Sequence, residues 1–207
     1  MHLLVTDRLS CVRCGPDFRL ILSIDEMSER RVLEGALACS NCRERYPIGG
    51  GAGDLRLAPR EPLSPPESSL TADRNAAVRL AALLGVERGP GLLVVAGSSA
   101  WHAHPLSQVI EGIEVAVLRA PLHGESEQKG VSRISVSDRL PFLTGSVRGA
   151  VIEGDSGVAL LSEVARVLGT GSRLVFLGPP GTARALVQAH GLRPIAESDE
   201  TLISQRK

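Results

Sequence analysis

Residues 92–105 read LLVVAGSSAWHAHP, and this stretch decides how the second half of the chain folds. A short aliphatic run ends in Gly97 and two serines, which is how a buried β-strand enters a nucleotide-binding turn. Such a turn usually holds several glycines, whereas a tryptophan and two histidines follow here. The stretch therefore predicts a buried strand and leaves open whether the turn still holds a ligand.

Strand and helix patterns alternate around this stretch. The predicted strands cover residues 92–96, 115–118, 132–136, 147–152 and 174–177, followed by an antiparallel pair at 193–196 and 201–204. The predicted helices cover residues 105–111, 158–168 and 182–190, after a first helix that is capped by Thr71 or Asp73 and ends near Leu84. This alternation predicts an α/β fold with a mostly parallel sheet.

The composition is that of a globular protein. Of the 207 residues, 43% are hydrophobic and only 2% are aromatic, so the core is aliphatic. Acidic and basic residues number 23 each, which argues against a broadly basic nucleic-acid-binding surface. No apolar run approaches the ~20 residues of a membrane helix, and the N-terminus lacks the pattern of a secretory signal. We therefore expect a cytoplasmic protein without a membrane partner.

All four cysteines fall in the first 42 residues, as the pairs Cys11/Cys14 and Cys39/Cys42. The C-x-x-C spacing lets one tight turn aim two thiolates at one ion, and two such turns supply the tetrahedral sulfur shell that zinc prefers. Four thiolates leave no open position, so we expect a structural zinc ion. Two disulfides, free thiols or an iron–sulfur site are the alternatives, and a cytoplasmic location argues against the disulfides.

The stretch after the second cysteine pair reads CRERYPIGGGAGDL over residues 42–55. It resembles the small zinc-ribbon activator subunit of transfer-RNA and release-factor methyltransferases, in which a Tyr-Pro-Ile strand and a glycine-containing turn follow the second C-x-x-C. The resemblance covers residues 1–58. It implies a small β-rich ribbon that docks on a methyltransferase domain and stabilises it. Between the cysteine pairs, the pattern fits either a hairpin or a strand and a helix.

Proline and serine dominate the stretch that follows the ribbon, which predicts an extended linker over residues 59–70. The remainder, residues 71–207, forms the predicted α/β domain. This domain resembles the class I S-adenosylmethionine-dependent methyltransferases. The resemblance rests on Leu140-Pro141-Phe142, on Gly145-Ser146-Val147, and on the Glu163-x-x-Arg166-Val-Leu motif that runs into Gly169 and Gly171. It implies a Rossmann-like sheet.

The residues that hold the cofactor in that family are mostly replaced. Of the family's acid-x-Gly-x-Gly-x-Gly pattern only Gly97 remains, and Leu118 and Arg119 stand where an acid binds the ribose hydroxyls. Val136 stands where an aspartate contacts the adenine, with Asp138 two residues later. If the pocket works, Gly97 and Ser98 bind the methionine end and Asp138 binds the adenine. A buried ribose hydroxyl without its acceptor costs ~1–3 kcal/mol, so S-adenosylmethionine binding is doubtful.

Several polar residues have a functional and a structural interpretation. Trp101-His102-Ala103-His104 is either a ligand or metal site on an extended segment or a set of bulky side chains that fill a disused pocket. Asp155 and Ser156 are either an active-site pair or a helix cap, within a five-residue loop at 153–157. The remaining candidates are Glu125 and Glu127, in a polar loop that begins at His123, and Arg43-Glu44-Arg45, a partner-facing patch or a solvated turn.

Two functions compete. We expect a non-catalytic, methyltransferase-like protein that binds, stabilises or regulates a protein partner, or that self-associates. The alternative is an active S-adenosylmethionine-dependent methyltransferase with an atypical cofactor loop. RNA binding through the ribbon is a weaker third reading, because the chain is neutral and poor in aromatic residues.

Overall fold

A computed structural model describes residues 1–60, 71–118 and 128–207. In these ranges the chain forms one sheet, and its strands are β1 Ser10–Cys11, β2 Gly15–Ser28, β3 Arg31–Cys39, β4 Arg45–Gly49, β5 Ala52–Asp54, β6 Gly91–Ala96, β7 Ile113–Leu118, β8 Val131–Ser135, β9 Val147–Glu153, β10 Leu168–Leu177, β11 Leu192–Ser198 and β12 Thr201–Arg206. The helices are α1 Leu3–Thr6, α2 Arg74–Leu84, α3 Ala103–Val109, α4 Gly154–Val167 and α5 Gly181–Ala189, with a 3-10 helix at Ser98–His102.

The strand order is β1-β2-β3-β4-β5-β8-β7-β6-β9-β10-β12-β11. The six strands from β5 to β10 in this order run parallel to one another. Every residue of β6 and β7 is buried, as expected for strands that are covered on both faces. The predicted parallel sheet and the antiparallel pair at its C-terminal edge are both confirmed.

Helices cover both faces of the parallel strands. Apolar residues of α4 and α5, among them Leu161, Val164 and Val187, pack into one cluster that also contains the core of the N-terminal strands. Residues of α2 and α3, among them Leu80 and Leu106, pack into a second cluster on the other face. Helix α2 begins where the Asp73 carboxylate accepts a hydrogen bond from the Asn75 amide, which confirms one of the two predicted caps.

The N-terminal strands continue the central sheet. Between the cysteine pairs the chain forms the β2–β3 hairpin, the first of the two predicted alternatives. Strand β5 then pairs in parallel with β8, so that Gly53 lies opposite Ile134. The division into domains at residues 58 and 71 stays a prediction, because residues 61–70 of the predicted linker lie outside the described ranges.

A second junction joins the start of the chain to the Leu-Pro-Phe segment. Leu9 bridges to Phe142, and the Ser10 amide donates to the Pro141 carbonyl at 2.8 Å. Two residues of α4 also bind that segment. The Arg166 guanidinium donates to the carbonyls of residues 140 and 142 at 2.8 and 2.7 Å, and the Glu163 carboxylate accepts from the amide of residue 140. The Glu-x-x-Arg motif therefore has a structural role here, because it binds the backbone of the Leu-Pro-Phe segment.

A buried ion pair forms a third junction. Arg31 of β3 meets Glu114 of β7 at 3.2 Å, and both side chains are less than 10% exposed. The hydroxyl of Ser132 donates to the same carboxylate at 2.6 Å. A buried charge pair needs such added hydrogen bonds to offset its desolvation. The contact therefore specifies how the hairpin sits on the parallel strands.

Several element boundaries differ from the sequence prediction, and β10 begins at Leu168, six residues before the predicted strand at 174–177. Helix α4 begins at Gly154, directly after β9, so the predicted loop at 153–157 does not exist as a loop. Helix α3 begins at Ala103, and a 3-10 helix precedes it. Gly154 turns the chain directly from β9 into the helix at a φ of 60°, a left-handed backbone position that glycine adopts readily, and α3 begins at an alanine, which has high helix propensity.

Candidate functional site

The four cysteines come together in one cluster. Cys11 ends β1, Cys14 precedes β2, Cys39 ends β3, and Cys42 lies in the turn that follows. The sulfurs of Cys11 and Cys42 are 3.6 Å apart, those of Cys14 and Cys39 are 3.8 Å apart, and all four lie within 4.8 Å of one another. Gly15 has a φ of 101°, which supports the tight first turn. This cluster can bind a metal ion.

Hydrogen bonds around the sulfurs favour thiolates at some positions. Burial raises the pKa of Cys39, but the backbone amides of Cys42 and Asn41 donate to its sulfur and bring the pKa down to about 7. Burial, together with hydrogen bonds to the other thiols, raises the pKa of Cys42 to about 12. Four crowded thiols do not all ionise by themselves, whereas a bound cation stabilises the deprotonated form of each.

Tyr46 supports the cluster from the core. Its side chain is fully buried, and its hydroxyl lies 3.4 Å from the Cys11 sulfur. Burial, followed by this contact, raises the pKa of Tyr46 above its ordinary value, so the phenol stays protonated. The Arg60 guanidinium lies 5.5 Å from the centre of the ring. The tyrosine of the Tyr-Pro-Ile motif therefore belongs to the surroundings of the sulfurs.

The cysteines share an edge of the sheet with the predicted cofactor loop. Strand β3 runs in the same direction as the parallel strands, because two antiparallel steps separate it from β5. The end of β3, at Cys39, therefore lies at the edge where β6 and β9 also end. In open α/β sheets this is the edge where ligands bind.

The turn after β6 is closed by a side chain of the protein itself. Gly97 has a φ of 90°, and a Cβ atom there would lie 2.9 Å from the Cβ of Glu153. The Ser98 hydroxyl donates to a Glu153 carboxylate oxygen at 2.6 Å, and the Ser99 amide donates to the same oxygen at 3.3 Å. The Glu153 carboxylate thus accepts hydrogen bonds from Ser98 and Ser99, which a turn of this kind would otherwise donate to a ligand.

Sequence reasoning missed this role of Glu153. The only available signal was its position, since it directly follows the fourth predicted strand. Neither its distance from Gly97 nor the direction of its side chain could be inferred without the pairing of β6 with β9. The ion pair of Arg31 with Glu114 was missed for the same reason.

Asp138 lines a cleft whose lining includes neither Gly97 nor Ser98. This cavity has a volume of about 350 Å³. Its lining includes Val12 and Arg13, which lie between Cys11 and Cys14 in the chain, and Leu55, which follows β5. Five cavities of the described residues have linings that include neither Gly97 nor Ser98. The structure does not bring the three predicted cofactor residues together around one of these cavities.

The histidines after Gly97 do not lie on an extended segment, contrary to the ligand-site interpretation of this sequence. Trp101 and His102 belong to the 3-10 helix, and His104 belongs to α3. The Trp101 ring packs against the second apolar cluster. His102 accepts from the Asp73 amide, whereas His104 contacts the Gln108 side chain. Within the described residues, the four cysteines are the group that could hold a metal ion.

The other candidate residues have structural surroundings. Arg43 adopts a φ of 61°, in a tight turn, and Glu44 pairs with Arg13 and Arg60 at 3.0 and 3.2 Å. The predicted cap at Asp155 and Ser156 is wrong, because both residues lie within the first turn of α4. The predictions for Arg119, His123, Glu125 and Glu127 fall outside the described residues.

Comparisons with known proteins identify the fold. Neither a protein-family model nor a curated protein matches the sequence. Solved structures do match. The geranyl diphosphate C-methyltransferase of Streptomyces coelicolor A3(2), solved with Mg²⁺, geranyl diphosphate and S-adenosyl-L-homocysteine, aligns over 64% of this chain and 77% of its own at 15% identity, with a TM-score of 0.50. The fold is methyltransferase-like.

Two further structures are similar. A protein of Galdieria sulphuraria assigned as a sarcosine dimethylglycine methyltransferase aligns over 59% of this chain and 60% of its own, at 14% identity and a TM-score of 0.50. The complex of the Haloferax volcanii methyltransferase activator Trm112 with a methyltransferase gives 17% identity over 61% of this chain and 73% of the matched chain, with a TM-score of 0.48. In the described residues, none of the helices is both long and apolar enough to cross a membrane.

Proposed function

We propose that this chain is a non-catalytic, methyltransferase-like protein with a structural zinc site, which binds and stabilises or regulates a protein partner. The observation that carries the proposal is the closed turn after β6. There the Glu153 carboxylate accepts hydrogen bonds from Ser98 and Ser99.

Zinc is the metal that suits the sulfur cluster best. A tetrahedral ion with Zn–S bonds of about 2.3 Å needs sulfurs about 3.8 Å apart. The sulfurs of Cys11 and Cys42, at 3.6 Å, and those of Cys14 and Cys39, at 3.8 Å, are close to that value. Cys11, Cys14, Cys39 and Cys42 would supply all four ligands, and the zinc would stabilise the turns that carry them. Reduced thiols also fit the proposed cytoplasmic location.

The ribbon of residues 1–58 is proposed to stabilise the domain of residues 71–207 within the same chain. Three junctions support this: the β5–β8 pairing, the contact of Leu9 with Phe142, and the Arg31–Glu114 ion pair. These three junctions use surface of residues 1–58 within the chain itself. A protein partner would therefore have to bind elsewhere.

The exposed part of β2 supports a binding role. Ile21, Ile24 and Met27 are 61%, 44% and 48% exposed. In the described residues, β1 pairs with β2 opposite Gly15 and Arg19, and no strand pairs with the outer edge beyond them. Exposed apolar side chains on an unpaired strand are a feature that proteins usually cover. This surface suits a protein partner or a second copy of the chain.

The alternative function is an active methyltransferase. It is favoured by the positive φ of Gly97, which retains the sharp turn that follows the first strand in a cofactor-binding sheet. In that case Gly97 and Ser98 would bind the methionine end of the cofactor and Asp138 the adenine, and Glu153 would have to move away from the two serines.

Isothermal titration of the zinc-loaded protein with S-adenosylmethionine and S-adenosylhomocysteine separates the two functions. We expect no heat of binding at millimolar ligand for the natural protein. The variant Glu153→Ala, which frees the serine donors, serves as the matched comparison for the role of the carboxylate. Micromolar binding to the natural protein would overturn the non-catalytic proposal and favour the methyltransferase.

A further inference from the structure

A second cleft lies at the opposite edge of the sheet, where the parallel strands begin. It has a volume of about 520 Å³ and lies between Arg8, from the N-terminal segment, and Arg148, near the start of β9. Its lining also includes Gly145, before β9, and Thr170 and Ser172, near the start of β10. The cleft is distinct from both the sulfur cluster and the turn at Gly97.

The backbone holds both guanidinium groups in place. Nη1 of Arg8 donates to the Ser146 carbonyl at 3.1 Å. Nη1 of Arg148 donates to the carbonyls of Arg88 and Pro90 at 2.9 and 2.8 Å. An arginine has five N–H donors, so each group keeps further donors after these contacts. The two side chains are positioned before any ligand arrives, which lowers the entropy cost of binding.

The charges in this cleft are not balanced by its own lining. None of the described residues that line it is an aspartate or a glutamate. Asp7, next to Arg8 in the chain, lines the adjoining cavity of about 780 Å³, where Asp17, Arg19 and Arg30 also lie. Burial lowers the pKa of Arg8, Asp7 opposes this, and the positive charge of Arg148 lowers the pKa further. An anion between the two arginines would relieve their repulsion.

The chemistry of the lining selects the kind of anion. The planar forks of two arginines match the oxygens of a phosphate group, and the hydroxyls of Thr170 and Ser172 add neutral hydrogen-bonding groups. The volume exceeds that of a single phosphate. The described lining contains no aromatic side chain on which a base could stack, which argues against single-stranded nucleic acid. We infer that this cleft binds a diphosphate, either free or carried by a small molecule.

Such a ligand would bridge two parts of the chain. Arg8 belongs to the N-terminal segment, and its carbonyl accepts from the Leu143 amide. Arg148 belongs to the parallel sheet. Binding would therefore link the ribbon to the domain and raise the temperature at which the protein unfolds. This effect depends neither on cofactor binding at Gly97 nor on the identity of a protein partner.

Titration calorimetry and thermal unfolding with inorganic pyrophosphate test the inference on the full-length, zinc-loaded protein. Adenosine diphosphate is the second probe, and sodium chloride at matched ionic strength controls for screening. We expect saturable binding and a rise in Tm with pyrophosphate. Tighter binding of adenosine diphosphate would indicate a carried diphosphate, and tighter binding of pyrophosphate a free one.

The variants Arg8→Gln and Arg148→Gln should each weaken binding at least about tenfold, since a hydrogen bond to a charged group contributes about 1.5–3 kcal/mol. Arg79→Gln, an exposed arginine on α2, is the control and should change the affinity less than about twofold. Arg148 is itself exposed, so its variant is expected to fold even if the Arg8 variant does not. Absence of binding at about 10 mM pyrophosphate would overturn the inference, because even a very weak site would be detected at that concentration. The inference would also be overturned if Arg79→Gln weakened pyrophosphate binding as much as the Arg8 and Arg148 variants do.

Discussion

At the scale of single residues, three glutamates have different structural roles because their carboxylates contact different groups. Glu153 accepts from two serines in the turn after β6. Glu114 is buried against an arginine. Glu163 accepts from Arg166 and from the amide of Leu140. Glu153 ends a strand, Glu114 lies near the start of one, and Glu163 lies within a helix. The residue that each carboxylate meets in three dimensions, and not the local sequence, decides its role.

Glu163 makes stability depend on pH. Burial raises its pKa, but hydrogen bonds and the positive charge of Arg166 outweigh burial and hold the pKa below the ordinary value of 4.5. A lowered pKa in the folded state stabilises the protein at pH values above 4.5, and this contribution is lost as the pH falls through the lowered value. Glu163→Gln should cost about 1–3 kcal/mol at pH 7 and progressively less under acid conditions.

Urea unfolding of both proteins between neutral and acid pH measures this difference. Glu87→Gln, an exposed glutamate, is the matched control and should change the free energy of unfolding by less than about 0.5 kcal/mol. A difference between natural protein and Glu163→Gln that stays constant over the whole range would contradict the assigned role.

At the scale of elements, the β2–β3 hairpin is the structure that brings the two cysteine pairs together. Leu20 lies opposite Cys39, so the register of the hairpin decides where the third ligand arrives. Gly35 lies opposite Ile24 in the same hairpin. Side chains that alter this register would move Cys39 away from the first pair.

A substitution at Gly35 tests how closely β2 and β3 must approach each other. A Cβ atom at this position would lie 2.3 Å from the backbone carbonyl oxygen of Ser23. Because backbone cannot rotate away as a side chain can, Gly35→Ala should separate the strands and destabilise the protein by about 1–3 kcal/mol. We expect a lower Tm and a reduced zinc content, measured by thermal unfolding and by elemental analysis.

Gly181 gives the matched control. It begins α5, and a Cβ atom there would meet nothing within 4 Å. Gly181→Ala should leave the Tm unchanged or raise it, since alanine reduces the entropy of the unfolded chain. Equal behaviour of the two alanine variants would show that the hairpin tolerates separation at Gly35.

At the scale of the whole molecule, the ribbon strands and the parallel strands form one sheet with a shared core. The cluster that contains Leu37 and Tyr46 also contains Leu161 of α4 and Phe176 of β10. A unit that shares its core in this way is expected to unfold together. Damage at the sulfur cluster should therefore reach the methyltransferase-like part of the chain.

Metal removal tests this coupling. Chelation of the proposed zinc ion, or the variant Cys39→Ser, should lower the Tm of the whole protein in a single transition, because a structural zinc contributes directly to folding. Circular dichroism of the helices, which belong mostly to the other part of the chain, is the measurement. Two separate transitions, with the helical one unchanged, would show that the ribbon unfolds independently.

The sequence by itself determined the local elements and the grouping of the cysteines. Buried aliphatic runs, helical spacing and the paired C-x-x-C motifs depend on neighbours in the chain, and these predictions need no knowledge of long-range contacts. The same local logic placed the antiparallel pair near the C-terminus. It failed at the start of α4, where Gly154 turns the chain directly from β9 into the helix at a φ of 60°.

Only the tertiary structure decided how the parts meet. The β5–β8 pairing, the Arg31–Glu114 contact and the closure of the Gly97 turn by Glu153 join residues that lie more than 50 positions apart. The cleft between Arg8 and Arg148 is assembled in the same way. Such contacts depend on strand order and on side-chain direction. Both are fixed by the burial of the whole core, and no short stretch of sequence carries that information.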